Sequence, residues 1–155
     1  MSNETWPNET WTWRIEQKIP SDSAAGKRVL QEILGQLETH QWSERDIFGV
    51  HLALEEALVN AIKHGNRCDL SKRVHVECRI STRRILVEIR DEGQGFNPDR
   101  VPDCTDDEHI EMPGGRGVLL MRSFMSSVEY NVKGNCVVMT KDRHEREADS
   151  AADYD

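Results

Sequence analysis

The sequence lacks the features that mark disulfide-rich, membrane-spanning and nucleic-acid-binding proteins. Its four cysteines, Cys68, Cys78, Cys104 and Cys136, form no C-x-x-C pair, so neither a zinc site nor a disulfide framework is predicted. No segment approaches the roughly 20 apolar residues of a membrane span. The 28 acidic residues outnumber the 20 basic ones, and no Lys/Arg-rich run could follow a phosphate backbone. We therefore expect a cytoplasmic protein without a membrane or nucleic-acid partner.

Two common nucleotide-binding motifs are also absent. Gly93 and Gly95 are followed by Pro98 rather than by a third glycine and a helix, so the Rossmann fingerprint is not matched. Gly26-Lys27 lacks the upstream glycine and the following Ser or Thr of a Walker A loop. Any nucleotide site in this chain is therefore of another type.

The apolar pattern predicts a single folded domain over residues 11–141. The polar ends, 1–10 and 142–155, are expected to be flexible. In between, the pattern predicts strand, helix, helix, two strands, a long loop, a short helix and two strands. This order indicates an α+β fold: a two-layer α/β sandwich with a mixed, mainly antiparallel sheet and helices on one face. The other sheet face is expected to be wet or covered by a partner.

Capping and turn residues predict several boundaries. Ser21 and Asp22 offer N-caps for the first helix. Ser43 marks the start of the second helix, which Gly65 ends. Glycines, three prolines and a cluster of acids interrupt any regular period over 91–117, and a loop of that length is usually functional.

Glu56 and Asn60 are the first candidates for chemistry. They are four residues apart, so both side chains lie on one side of the second helix, on a ridge that Lys63 and His64 extend away from its apolar stripe. An asparagine amide oxygen is a hard, neutral ligand that suits Mg²⁺, and a nearby carboxylate can orient or deprotonate a nucleophile. Taken alone, the pair is more typical of an exposed hydrogen-bonding pair.

Asp91, Gly93 and Gly95 form a second candidate, at the end of a predicted strand. A carboxylate there can accept the exocyclic amino group of adenine, and the glycines allow the backbone to approach the base. An ordinary acidic turn would contain the same residues.

The third candidate is a glycine-rich turn that leads directly into a helix. Backbone N–H groups at a helix start favour an anion such as a phosphate, which makes Gly115, Gly117 and Val118 candidate nucleotide-binding residues. Arg116 offers a charge-assisted contact, although an arginine in such a turn is more often solvated. Its role stays open.

In order and spacing, these elements resemble the GHKL (Bergerat) ATP-binding fold shared by histidine kinases, gyrase, mismatch-repair ATPases and a heat-shock chaperone. The segment from Glu56 to Gly65 resembles the N box of that family. Asp91-x-Gly93-x-Gly95 resembles its first glycine box, and Gly115-x-Gly117 its second. The match covers roughly residues 13–141. In its short length, its sequence motif N-A-x-K-H-G and its segment 117–125, the chain further resembles the serine-kinase anti-sigma factors.

The resemblance implies a role for each group of residues. Glu56 would be the general base for a serine hydroxyl, Asn60 the Mg²⁺ ligand and Asp91 the adenine anchor of a site for ATP or ADP. Segment 97–113 would be the ATP lid. The resemblance also implies an ATP-dependent serine/threonine-protein kinase that acts as an anti-sigma factor or a related partner-switching regulator.

The same resemblance implies partners. A sigma factor or a STAS-like anti-sigma antagonist would bind, usually to a homodimer formed through the sheet edge and first strand. Lys27 and Arg28, early in the first helix, are candidate partner contacts, and solvated helix charges would look the same. The sequence departs from some of these kinases at Pro113 and Gly114, where they place an arginine before the second glycine box.

Two other functions stay open. One is a nucleotide-gated module that binds a partner without transferring phosphate, which the departure at Pro113 and Gly114 favours. The other is a detached histidine-kinase-like ATPase domain, against which the short lid and the absence of dimerisation helices argue. His64 is expected to be structural rather than phosphorylated.

Overall fold

The computed structural model describes residues 8–93 and 115–144, and side chains in the second range from 117 onwards. The elements are β1 Trp13–Pro20, α1 Ser23–Thr39, α2 Glu44–Val59, a π-helical segment Asn60–Gly65, β2 Arg73–Ile80, β3 Arg84–Arg90, α3 Gly115–Phe124, β4 Ser127–Tyr130 and β5 Cys136–Asp142. The predicted order of elements is confirmed. The predicted lid at 97–113 and the predicted role of Gly95 lie outside the described residues.

The five strands form one sheet in the order β1-β2-β3-β5-β4. All four pairings are antiparallel, so the prediction of a mainly antiparallel sheet is confirmed, and no parallel pair occurs among the described strands. The turn between β4 and β5 is closed by Gly134, whose φ of 84° is a left-handed conformation that favours glycine. β1 and β4 are the edge strands.

One face of the sheet packs against the helices. On β2, Val74, Val76, Cys78 and Ile80 alternate along the strand and are each 0% exposed, as the two-residue period of a strand requires. They share one hydrophobic core with the apolar stripes of α1 and α2. α1 packs on α2, and α2 packs on α3. The predicted two-layer arrangement is therefore confirmed.

Side-chain caps set the starts of the two long helices. The Asp22 carboxylate accepts the Ala24 N–H at 2.9 Å, and the Ser43 hydroxyl accepts the Asp46 N–H at 3.1 Å, which satisfies N–H groups that have no partner within the helix. At its other end, α2 widens into the π-helical segment Asn60–Gly65, a feature the sequence pattern did not predict. Such π turns are frequent at functional sites.

The outer face of the sheet is more buried than a wet face would be. Glu16, Glu77 and Glu88 are directly opposite one another on three neighbouring strands, and Glu77 and Glu88 are buried. Like charges in register are unfavourable. Arg79 offsets this repulsion by donating from Nε to Glu77 at 3.1 Å, and His75 Nε2 lies 3.1 Å from the Glu16 carboxylate.

Contacts at both ends extend the packed part of the chain beyond 11–141. Glu9 forms an ion pair with Arg84 at 3.2 Å. β5 continues through Asp142, after which the His144 backbone N–H donates to the Asp46 carboxylate at 3.0 Å. The folded unit therefore includes residues that composition alone assigned to flexible ends.

None of the described helices is long and apolar enough to cross a membrane.

Candidate functional site

A cleft lies between the end of α2 and the sheet. Asn60, His64 and Asp91, three of the predicted residues, line it together with Gly65. Its apolar lining comes from small and aliphatic side chains on α2, the π-helical segment, β3 and β5: Ala57, Ala61, Ile89 and Val137. A narrow cleft with an apolar floor and a few polar groups is typical of a site for a planar ligand.

Asn60 opens the π-helical segment and is 8% exposed. Within the described part of the chain, neither its Oδ1 nor its Nδ2 has a hydrogen-bond partner in normal geometry, although the Tyr130 hydroxyl is near enough for the amide to lower its pKa. An unsatisfied buried amide costs roughly 1–3 kcal/mol, so its retention at the cleft points to a ligand. The Oδ1 atom is a neutral oxygen of the type that Mg²⁺ accepts. Asn60 therefore fits the predicted Mg²⁺ ligand.

Glu56 lies one helical turn before Asn60 and is half-buried. Burial, and to a lesser degree the charge of Glu55, raises the pKa of the Glu56 carboxyl. A carboxylate with a raised pKa is a stronger base than an exposed one, as proton abstraction requires.

The start of α3 packs directly on Glu56. A Cβ placed on Gly117 would overlap the Glu56 carboxyl group, so a larger residue would require the Glu56 side chain to move. The contact brings the second glycine box against the N box, although 60 residues separate them in the chain. Backbone N–H groups in the first turn of α3 are free of helical partners, which places anion-binding groups beside a candidate base.

Asp91 follows β3 and is 9% exposed. Its Oδ1 accepts the Gly93 N–H at 2.7 Å. Burial raises the pKa of the Asp91 carboxyl, while the Gly93 N–H, Lys133 and Lys72 act in the opposite direction. A buried carboxylate that lines the cleft can accept an amino group from a ligand, as adenine recognition needs.

Two glycines allow the N box and the first glycine box to touch. A Cβ on Gly65 would overlap the Asp91 carboxylate, and a Cβ on Gly93 would overlap the Gly65 carbonyl oxygen. The Gly65 backbone therefore lies directly against the Asp91 carboxylate and against Gly93. The close backbone approach expected of Gly93 is present, although its partner here is protein.

Sequence reasoning missed two residues of the cleft. Asn135 holds Asp91 from the β4–β5 turn, because its Nδ2 donates to the Asp91 carbonyl at 3.0 Å and its own carbonyl accepts the Asp91 N–H at 2.9 Å. Tyr130 lines the cleft beside Asn60. Burial raises the pKa of Tyr130 to about 12, against the influence of Asn60. The residues Gly134 and Asn135 predicted a turn at this position, but they did not predict that the turn contacts Asp91.

The structure places other predicted residues outside the cleft. Lys63 lines a groove between α1 and α2 with Lys27, because the wider π turn keeps His64 in line with Asn60 and turns Lys63 away. Val118 is a core residue, 2% exposed, so its side chain packs instead of contacting a ligand. The Lys63 prediction rested on helical spacing, whereas the Val118 prediction rests on a backbone N–H group and stays a prediction.

The remaining predicted residues lie on two helices. Gly115 and Arg116 begin α3, and the Arg116 side chain lies outside the described part. Arg28 is exposed on α1, next to the groove that Lys27 lines. Neither observation assigns a role to these side chains.

The fold and the cleft define a class of protein, and comparison with known proteins identifies the family. A profile of the histidine kinase-like ATPase domain matches residues 19–141, which includes the N box, both glycine boxes and the whole sheet except most of β1 and the last residue of β5. The chain belongs to the histidine kinase-like ATPase family. The predicted relationship to GHKL proteins is confirmed.

Two individual proteins show which members of the family this chain is similar to. The chain is 33% identical over 135 residues to an anti-sigma F factor of Clostridium perfringens, covering 83% of this chain and 94% of that protein. It is 28% identical over 136 residues to the serine-protein kinase RsbW of Bacillus subtilis, covering 82% and 84%.

A solved structure supports the fold. The RsbU and RsbW domains of a Mycobacterium tuberculosis protein match with a TM-score of 0.59 and 14% identity, over 86% of this chain and 32% of that chain. The predicted α+β fold of the Bergerat type is confirmed.

Proposed function

We propose that this protein is an ATP-dependent serine/threonine-protein kinase that acts as an anti-sigma factor or a related partner-switching regulator. The single observation that supports the proposal is that Asn60 and Asp91 line one cleft, while Gly117 packs on Glu56, one helical turn before Asn60. Asp91 is a buried carboxylate suited to adenine and Asn60 is a buried amide, and Glu56 is a partly buried carboxyl whose pKa burial raises. The naming of its relatives as anti-sigma factors and serine-protein kinases supports the same activity.

Each residue has a separate task in the proposed reaction. Asp91 binds the adenine amino group, and Gly65 and Gly93 keep side chains away from that carboxylate. Asn60 Oδ1 is the protein ligand for Mg²⁺, whose charge would neutralise the phosphate oxygens when the ion is bound. The first turn of α3 offers N–H groups to the phosphates.

Glu56 carries the step from binding to transfer. Its carboxylate accepts the proton of the substrate serine hydroxyl, the serine oxygen bonds to the γ-phosphorus, and the bond from that phosphorus to the bridging oxygen of ADP breaks. Because burial raises the pKa of Glu56, the base is lost at a higher pH than an exposed glutamate would be. The transfer rate should therefore fall as pH falls through this raised pKa.

The partners follow from the same relatives. We infer that a sigma factor and a STAS-like antagonist are the protein partners, that the protein works in the cytoplasm where sigma factors act, and that it forms a homodimer. The exposed edge of β1 suits pairing with a second strand.

A phosphotransfer assay with matched variants tests the proposal. The wild type is incubated with labelled ATP, Mg²⁺ and candidate antagonist proteins, beside Glu56→Gln and Asp91→Asn. We expect Glu56→Gln to bind ADP normally in calorimetry and to lose at least about a hundredfold in transfer, whereas Asp91→Asn weakens ADP binding about tenfold to a hundredfold, which calorimetry can still measure. Undiminished phosphoserine with Glu56→Gln would contradict the role of the base. Partner capture with no phosphoserine from the wild type would indicate a nucleotide-gated binding module instead.

A further inference from the structure

We propose that Asn66 is a positioning residue that holds Asp91 in place for adenine recognition. This inference rests on the proposed function. Asn66 is 0% exposed and directly follows the N box at the point where the π-helical segment ends. It lies outside the cleft, and nothing in the sequence pattern marked it.

The Asn66 amide joins three separate parts of the chain. Its Oδ1 accepts the Glu92 N–H at 2.8 Å, and its Nδ2 donates to the Ser21 hydroxyl at 2.9 Å and to the Arg73 carbonyl at 3.0 Å. Both amide hydrogens and the carbonyl oxygen are therefore used. The partners also decide the orientation of the amide, since the Glu92 N–H can only donate and the Arg73 carbonyl can only accept.

Glu92 is the residue through which Asn66 acts on the site. It stands between Asp91 and Gly93, so the hydrogen bond from Glu92 N–H fixes the peptide that follows Asp91. A second contact secures the same residue, because the Arg73 backbone N–H donates to the Glu92 carboxylate. The loop after β3 is thus tied to the N box on one side and to the start of β2 on the other.

The backbone after Asn66 supports a positional role. Arg67 and Cys68, the next two residues, have φ angles of 54° and 57°, in the left-handed region that non-glycine residues rarely adopt. Such strain persists only where surrounding contacts determine the conformation. Here those contacts hold the fully buried Asn66 amide next to the turn formed by Asp91–Gly93.

A double-mutant cycle between Asn66 and Asp91 tests the inference. ADP and GDP affinities are measured by calorimetry for the wild type, Asn66→Ala, Asp91→Asn and the double variant, at a temperature at which circular dichroism shows each to be folded. We expect Asn66→Ala to weaken ADP binding about tenfold and to reduce the preference for ADP over GDP. In the Asp91→Asn background the same change should have almost no effect, because the residue acts through Asp91.

Two further variants separate positioning from stability. Ser21→Ala removes a neighbouring hydrogen bond but leaves the bond to Glu92, so it should lower thermal stability and change ADP affinity by less than about twofold. Asn66→Ser keeps a polar group if the alanine variant does not fold, and it should show the same loss of base preference.

Distinct results would overturn the inference. Losses that multiply in the double variant, or an unchanged preference for ADP over GDP, would show that Asn66 only stabilises the fold. ADP binding by the wild type that does not depend on Asp91 would overturn the proposed adenine site, and the role of Asn66 with it.

Discussion

The absence of a side chain at Gly65 allows the Asp91 carboxylate to occupy its position in the cleft. It ends the π-helical segment with its Cα against the Asp91 carboxylate, where a Cβ would overlap that group. We expect Gly65→Ala to displace Asp91 and to weaken ADP binding at least tenfold, an effect of about 1.4 kcal/mol. Calorimetric titration with ADP measures the loss.

Gly35 provides the matched control. It lies in α1, and a Cβ there would meet nothing within 4 Å. Gly35→Ala should raise the free energy of unfolding by about 0.5–1 kcal/mol and leave ADP affinity unchanged. Equal affinities for the two variants would show that the Gly65–Asp91 approach has no role in binding.

Glu56 also predicts a pH-dependent stability. Because burial raises its pKa, the native state binds more protons than the unfolded chain between the ordinary and the raised pKa. Stability therefore decreases as pH rises through that window. Glu56→Gln removes this effect and should raise the midpoint of thermal unfolding by about 1–3 °C at neutral pH.

Measuring the unfolding midpoints of Glu56→Gln and the wild type at two pH values distinguishes the effect of the raised Glu56 pKa from an effect of better packing. Near about pH 4, where the wild-type carboxyl gains its proton, the difference between Glu56→Gln and the wild type should largely disappear. A gain of the same size at both pH values would contradict the assigned pKa shift.

At the scale of elements, α2 has polar anchors at both ends. Its first turn contains Asp46, which is 0% exposed. The Asp46 carboxylate accepts from the His144 backbone and ring, and Lys141 Nζ lies 3.8 Å away. Lys141 also donates to the Phe124 carbonyl at the end of α3 at 2.7 Å. The cluster ties the starts and ends of three elements together.

Replacing Asp46 should therefore destabilise the contacts of the whole cluster. Asp46→Ala leaves Lys141 buried without its carboxylate, and we expect a loss of about 3 kcal/mol in the free energy of unfolding in urea. Asp22→Ala, which removes only the N-cap of α1, should cost about 1 kcal/mol. Similar losses for the two variants would indicate that Asp46 acts as an ordinary cap.

α2 separates this structural end from the chemical end. A helix of its length spans about 24 Å, with Asp46 in its first turn and Glu56 in its last. ADP affinity of Asp46→Ala, measured where the variant is folded, should therefore equal that of the wild type. The same helix carries a stability site and the proposed catalytic residue, which mutations can address separately.

At the scale of the whole molecule, α1 presents the predicted partner surface. Lys27 lines the groove between α1 and α2, and Arg28 is exposed beside it, on a protein whose net charge is −8. We expect charge reversal, Lys27→Glu with Arg28→Glu, to weaken binding of a sigma factor at least tenfold without changing ADP affinity. Surface plasmon resonance with the immobilised sigma factor measures the change.

Arg45 supplies the control for that charge reversal. It is exposed near the start of α2, away from the groove, so Arg45→Glu changes net charge by the same step as either single reversal on α1 and leaves α1 itself unaltered. Comparable weakening by Arg45→Glu would show that overall charge, and not the α1 surface, governs the association.

The strands, helices and core of this protein were largely predictable from its residue pattern. The alternation on β2 and β3 and the stripe on α2 determine which faces are buried, because the periods of strand and helix are local properties. The three motifs were predictable for a similar reason. Glycine, asparagine and carboxylate each have a backbone or ligand chemistry that their residue type alone restricts.

Tertiary structure decided which of those residues meet. The π turn aligned His64 with Asn60 and turned Lys63 toward the α1 groove, a change that regular helical spacing does not reveal. Asn66 bonds Glu92 from 26 residues away in the chain, and Asn135 bonds Asp91 from 44 residues away. Such contacts depend on how the end of β3, the N box and the β4–β5 turn pack together. Sequence periodicity reports only local structure, so it does not reveal contacts between segments that are far apart in the chain.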